Sequence, residues 1–150
     1  MTPTTPRTLR VAGVLSAFED AAREFRAMLA SCGVAGRTAG RAEIVFEEIV
    51  TNVMRHGGDG RATPQIDVQV ARDADRLVLT FVDDGRAFDP LTRPDPGPPN
   101  TLANAPDGGL GIVLVRRTAD AVGYERTRDG HNRMTVTLAT DPPNRANPAS

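Results

Sequence analysis

Apolar side chains recur along the chain at two spacings, and each spacing predicts a different element. Leu15, Phe18, Ala22, Phe25 and Leu29 fall at alternating intervals of three and four, the stripe of an amphipathic helix, with Ser16 placed as its N-cap and Gly33 as its stop. Ala42, Val45, Phe46, Ile49 and Val53 repeat the pattern and predict a second helix over about 38–56, ended by Gly57-Gly58. The spacing then changes to two: Ile66, Val68 and Val70 alternate with polar residues, as does the run Leu77–Val82, and the polar link through Asp73 and Asp75 makes the pair a hairpin. Thr8–Val14 reads as a short strand ahead of the first helix. Helical spacing returns at Leu110, Val113, Leu114 and Ala121, and Val122–Arg128 and Arg133–Ala139 form a second hairpin around Asp129-Gly130.

The order strand, helix, helix, hairpin, helix, hairpin predicts an α+β two-layer sandwich, with helices on one face of a mixed, mostly antiparallel sheet. It is not the alternating order of a dinucleotide-binding fold, and no glycine triplet follows the first strand. One stretch interrupts the pattern. Between Arg86 and Gly109 lie six of the twelve prolines and hardly a large apolar residue, so this segment cannot pack a core of its own. A loop of that length inside a small domain points to a functional lid. The resulting division is a flexible N-terminus over 1–7, one domain over 8–140 with its lid at about 86–109, and a disordered tail over 141–150.

Composition narrows the partners. With 150 residues, 39% hydrophobic and 25% charged, the chain fits one globular domain. A net charge of −1 with interspersed signs supplies no basic stripe for nucleic acid and no polybasic patch for an anionic membrane. Its longest unbroken apolar run is Ile112–Val115, and the first ten residues hold no apolar signal segment. The single cysteine, Cys32, can form no internal disulfide and reads as ordinary packing, consistent with a reducing cytoplasm.

Three groups of residues could carry chemistry. Glu48 and Asn52 stand four apart, one turn on the same side of the second helix. An amide oxygen is a suitable hard ligand for Mg²⁺, and a carboxylate one turn away could accept a proton from an attacking hydroxyl. The same residues also fit the solvated side of a surface helix. Asp83 and Gly85 close an alternating strand, where a carboxylate can accept a hydrogen bond from an exocyclic amine such as adenine's while a glycine admits a flat ring. A plain Asp-Gly turn reads the same way. Asp107-Gly108-Gly109-Leu110-Gly111 opens the third helix, and glycines at a helix N-terminus leave backbone N–H groups for an anion, although the lysine of a Walker-type loop is missing. His56, His131, Arg116 and Arg117 take no role in this reading.

The order of these groups carries a resemblance. Glu48-Ile49-Val50-Thr51-Asn52-Val53-Met54-Arg55-His56-Gly57 resembles the asparagine box of the GHKL, or Bergerat-fold, ATPases in the form found in anti-sigma-factor serine/threonine kinases of bacterial partner switching. Asp83-Asp84-Gly85-Arg86-Ala87-Phe88-Asp89-Pro90 resembles the aspartate-glycine box of that branch, and Gly108–Arg117 its second glycine box and following helix. The resemblance implies Asn52 as the Mg²⁺ ligand, Glu48 as catalytic base, Asp83 as reader of the adenine amine, Gly85 beneath the ring, and Gly108, Gly109, Leu110 and Gly111 around phosphate. It also implies a threonine near the base in the last strand pair. Thr135 is the nearest candidate, though Asn132-Arg133-Met134 departs from the usual Gly-Thr.

The expected function is therefore an ATP- and Mg²⁺-dependent protein serine/threonine kinase that phosphorylates a small antagonist protein and sequesters a sigma factor or comparable regulator, as a cytoplasmic homodimer. The rival is a nucleotide-responsive binding module that holds its partner without phosphotransfer. A histidine-kinase piece is a third reading, and no helical hairpin with a phosphoacceptor histidine precedes the domain to support it.

Overall fold

The period-two runs pair into one sheet. β1 (Arg7–Ala12), β2 (Gln65–Arg72), β3 (Arg76–Asp83), β4 (Ala121–Arg126) and β5 (Asn132–Ala139) lie in the order β1-β2-β3-β5-β4. The computed structural model describes residues 5–56, 62–87 and 109–140, with the side chain of Leu110 outside that description. Gly57, Gly58, Gly108, the tail over 141–150 and nearly all of the expected lid lie outside the described residues. Among the described residues every strand pairing is antiparallel, so the mostly antiparallel sheet expected from sequence is antiparallel throughout.

Strand alternation sorts the sheet into two faces. Leu9, Val11, Ile66, Val68, Val70, Leu77, Leu79, Phe81, Met134, Val136 and Leu138 are buried on one, while Val78, Thr80, Val82, Thr135 and Thr137 on the other are only half-buried. Against the apolar face lie α1 (Phe18–Ser31) and α2 (Gly36–His56), with α3 (Gly109–Thr118) packed beside α2. Phe46 of α2 stacks on Phe25 of α1 at a centroid distance of 4.3 Å and meets Phe81 of β3 at 6.5 Å, so one ring ties both layers together.

Element ends follow from local chemistry. Gly33 ends α1 with φ +74, and Arg72 donates from Nη1 to the carbonyls of Cys32 and Gly33, satisfying the acceptors that a helix end exposes. Asp73 accepts the N–H groups of Asp75 and Arg76 in the β2–β3 turn, and those two bonds hold its carboxyl below the usual carboxylate range. Gly130, at φ +82, turns the β4–β5 connection.

Arg41 of α2 fastens the far end of α3. Its Nη2 donates to the Thr118 carbonyl at 2.6 Å and to Asp120 Oδ2 at 3.2 Å. The same Asp120 oxygen accepts the Ala139 N–H at 2.6 Å, which ties in β5 as well.

Three local expectations are corrected. Ser16 is not an N-cap: Leu15–Ala17 form a 3₁₀ turn, α1 starts at Phe18, and Ala17 in the cap position makes no side-chain cap bond. Leu15 consequently leaves the apolar stripe and is 58% exposed. Ala121 does not continue α3, which stops at Thr118. The buried face of that helix is Ile112, Val113 and Val115, with Leu114 outside.

Candidate functional site

A narrow cleft opens between the layers beside α2. Ile49, Asn52, Val53 and His56 of α2, Ile112 of α3, Phe81 and Asp83 of β3, Tyr124 of β4, and Asn132 and Met134 of β5 line it, with Arg86 beyond the end of β3. Most of this wall is apolar, and polar groups converge at one end, the character of a site for a flat, partly polar ring.

Helix periodicity selects which α2 residues reach it. Ile49, Val53 and Asn52 follow one another around a single side, whereas Thr51 turns its hydroxyl back onto the Glu47 carbonyl at 2.6 Å. Glu48, one turn before Asn52, is half-buried and points at α3. A Cβ built on Gly111 would collide with Glu48 Oε2, so the absence of a side chain there makes room for the carboxylate. Burial raises the Glu48 carboxyl above its ordinary value, the neighbouring charge of Glu47 adds to the rise, and Arg55 opposes it. A carboxylate with a raised pKa is suited to taking a proton.

Asp83 closes the cleft at its polar end and is 8% exposed. Of the two adjacent carboxylates only this one faces inward. Asp84 turns away to accept the Gln65 N–H at 2.7 Å. Asp83 Oδ1 accepts both the Gly85 N–H and the Asn132 Nδ2–H, each at 3.0 Å. Burial is the largest influence on Asp83 and raises its pKa. The bonds from Asn132 and Gly85 and the charge of Arg126 pull it back, while Asp84 adds to the rise.

Register explains this meeting: β3 and β5 pair so that Asp83 stands directly opposite Asn132. Asn132, 5% exposed, also donates to the Arg86 carbonyl at 2.8 Å. At its other end Oδ1 accepts from Tyr124 Oη at 2.6 Å and Arg126 Nη1 at 3.2 Å. Arg126 reaches the Gly85 carbonyl too, at 3.0 Å, so the Asp-Gly turn is pinned from β4 and β5 together.

The structure thus brings Asn52 and Asp83 to one cleft, leaves Gly85 buried behind Asp83 and outside the cleft lining, and sets Glu48 against Gly111 at the α3 start, where the backbone of Gly109 and Leu110 begins the helix. It does not bring Thr135 there. Thr135 lies between Met134 and Val136, which both face the core, so alternation turns it to the opposite face of the sheet, beside Thr80 and Gly123. Sequence reading missed Asn132, Tyr124 and Arg126. Asn132 was detectable in principle, because it falls in phase with Met134, Val136 and Leu138 and is therefore a polar residue in a buried row.

An asparagine of α2 and an aspartate at the end of β3 thus line one apolar cleft between the helices and an antiparallel sheet. Residues 14–139 match the histidine kinase-like ATPase domain, and the chain belongs to that family. It is 29% identical over 96 residues to the serine/threonine-protein kinase BtrW of Bordetella bronchiseptica, covering 64% of this chain and 67% of that protein. Among solved structures it is similar to the RsbU and RsbW domains of Rv1364c from Mycobacterium tuberculosis, with TM-score 0.61 and 15% identity over 93% of this chain and 34% of that one. It therefore spans about a third of the length of that protein. The SiaB–SiaC complex of Pseudomonas aeruginosa gives TM-score 0.56 and 15% identity, with 89% of each chain covered. Both likenesses place the fold.

Proposed function

We propose that the chain is an ATP- and Mg²⁺-dependent protein serine/threonine kinase of the partner-switching kind, acting on a small antagonist protein. The observation that supports it best is the convergence of Asn52 and Asp83 on one apolar cleft with Glu48 one turn away. The donor set fits the nucleotide. Asp83 offers an acceptor to an exocyclic amine, Ile49, Val53, Phe81, Ile112 and Met134 offer apolar contact to a ring, and the Asn52 amide oxygen suits a hard cation. Gly85 would lie against the ring, and the backbone of Gly109, Leu110 and Gly111 would meet phosphate at the α3 N-terminus.

Bound MgATP supplies the transferable phosphoryl group and the charge that neutralises it. The chain's own contribution is to hold the base end, to orient the cation through Asn52, and to take the proton of an acceptor hydroxyl at Glu48. The raised Glu48 pKa favours that last step, because a base is most effective when its pKa approaches the working pH.

The curated relative named above is a serine/threonine kinase and one structural neighbour is a two-protein complex, which supports an antagonist protein as substrate. A sigma factor or comparable regulator as client, a homodimer, and a cytoplasmic location complete the reading. Among the described residues no helix is long and apolar enough to cross a membrane. Calorimetric titration of ATP and GTP, each with and without Mg²⁺, tests it. Selective, magnesium-dependent ATP binding is the expected result, and no binding would overturn the nucleotide site together with the kinase.

A further inference from the structure

Asp83 has one oxygen committed twice. The N–H of Gly85 and the Nδ2–H of Asn132 both converge on Oδ1, which leaves Oδ2 as the acceptor for a ligand in the cleft. The Gly85 bond is local and would form in any Asp-x-Gly turn of this shape. The Asn132 bond spans 49 residues and depends on the β3–β5 register.

The orientation of the Asn132 amide is fixed by its surroundings. Its nitrogen meets a carboxylate and a carbonyl, which can only accept, and its oxygen meets a tyrosine hydroxyl and a guanidinium, which donate. Reversing the amide would set its oxygen against two acceptors and its nitrogen against the guanidinium donor. The chain from Tyr124 through Asn132 to Asp83 therefore delivers a hydrogen to Oδ1 at a fixed angle and blocks rotation of the carboxylate.

We infer that Asn132 is a positioning residue for base recognition: by holding Asp83 Oδ1 it aims Oδ2 at the exocyclic amine of a 6-aminopurine and turns the cleft against a 6-oxopurine. The argument rests on the nucleotide reading above. A 6-oxopurine would bring a carbonyl oxygen up to a carboxylate oxygen with no hydrogen between them, a cost comparable to leaving a buried acceptor unpaired. Asn132 acts through Asp83 and need not touch the base.

The test compares ATP with purine riboside triphosphate, which has the same ring and phosphates and no exocyclic amine, and with GTP. Dissociation constants are measured by calorimetry for the wild-type protein, Asn132→Ala and Tyr124→Phe. The wild type should favour ATP over purine riboside triphosphate by about ten- to a hundredfold, the value of one hydrogen bond to a charged partner. Asn132→Ala should bring that ratio close to one while purine riboside triphosphate binds nearly as before. Tyr124→Phe keeps the ring and removes one donor to Asn132, and should lower the ratio by about twofold.

A uniform loss of affinity for all three nucleotides in Asn132→Ala would overturn the inference, because a residue that merely supports the fold has no means of sensing one amine. A wild-type ratio of one would also overturn it and leave the nucleotide site standing. Failure of the wild type to bind any nucleotide would instead overturn the functional reading beneath it. Should Asn132→Ala not fold, an unchanged ratio in Tyr124→Phe decides against the inference.

Discussion

Asp83 and Glu48, at opposite ends of the candidate site, are held in different ways. At the β3 end, Asp83 sits in a network of Asn132, Gly85, Tyr124 and Arg126, with every bond between 2.6 and 3.2 Å. At the α3 end Glu48 is set by shape, through the space that Gly111 leaves for it. A bonded network fixes an angle, and a missing side chain fixes only a volume. The first suits recognition of a rigid ring, which needs one geometry. The second suits a group that must accept a proton and adjust as a reaction proceeds.

Breaking each end separately should show this. Glu48→Gln keeps the shape and removes the base, so phosphotransfer should fall by about 10²–10⁴-fold with ATP affinity nearly unchanged, measured as single-turnover rate beside calorimetry. Gly111→Ala keeps the base and removes its space. The carboxylate end of Glu48 must swing aside, and a displacement of that kind should slow turnover by about 10²-fold. Equal turnover in Gly111→Ala and wild type would show that the position of Glu48 is not set by α3.

At the β3 end the effect should be smaller and chemically selective. In Asp83→Asn the amide oxygen can keep both donors from Asn132 and Gly85, which places the amide nitrogen where Oδ2 was. An acceptor becomes a donor, so ATP affinity should fall by about tenfold or more while GTP loses less or gains. Calorimetry with both nucleotides reads it.

Acidity separates the regions most gently. Glu48 and Asp83 both have raised pKa values in the folded protein, chiefly through burial. Each contributes stability that is full below the ordinary carboxylate range and lost as pH rises through its folded value. Asp73 and Asp120, held low mainly by backbone N–H groups, contribute in the opposite sense, with stability lost as pH falls. Melting temperatures of the ligand-free protein should therefore show Asp83→Asn gaining on the wild type as pH rises from the ordinary carboxylate range towards neutrality. A constant difference across that range would mean that Asp83 is no more strained ionised than neutral.

Much of the fold and half of the site were legible in the sequence, for a physical reason that the residues themselves display. Glu48 and Asn52 are one helical turn apart, and Asp83 and Gly85 share a turn, so local spacing alone sets each pair. Asn132 and Tyr124 reach Asp83 only through the pairing of β3, β5 and β4, which no short window of sequence contains. Thr135 shows how narrow the margin is: one residue of phase along β5 separates a side chain in the cleft from one on the opposite face. Ser16 failed differently, because a 3₁₀ turn preceded the helix and moved its start past the serine.

The bond set of Arg41 gives α3 the mechanics of a lever. Its last residue, Thr118, is clamped to α2 and, through Asp120, to β5, so that end is a fulcrum. A helix of ten residues has an arm of about 15 Å, and a tilt of roughly 10° about the fulcrum would carry its first residues by about 2.6 Å. That is close to the length of a hydrogen bond. Thr118 is thus the fixed point from which the length of α3 alone sets where Gly109 and Gly111 stand.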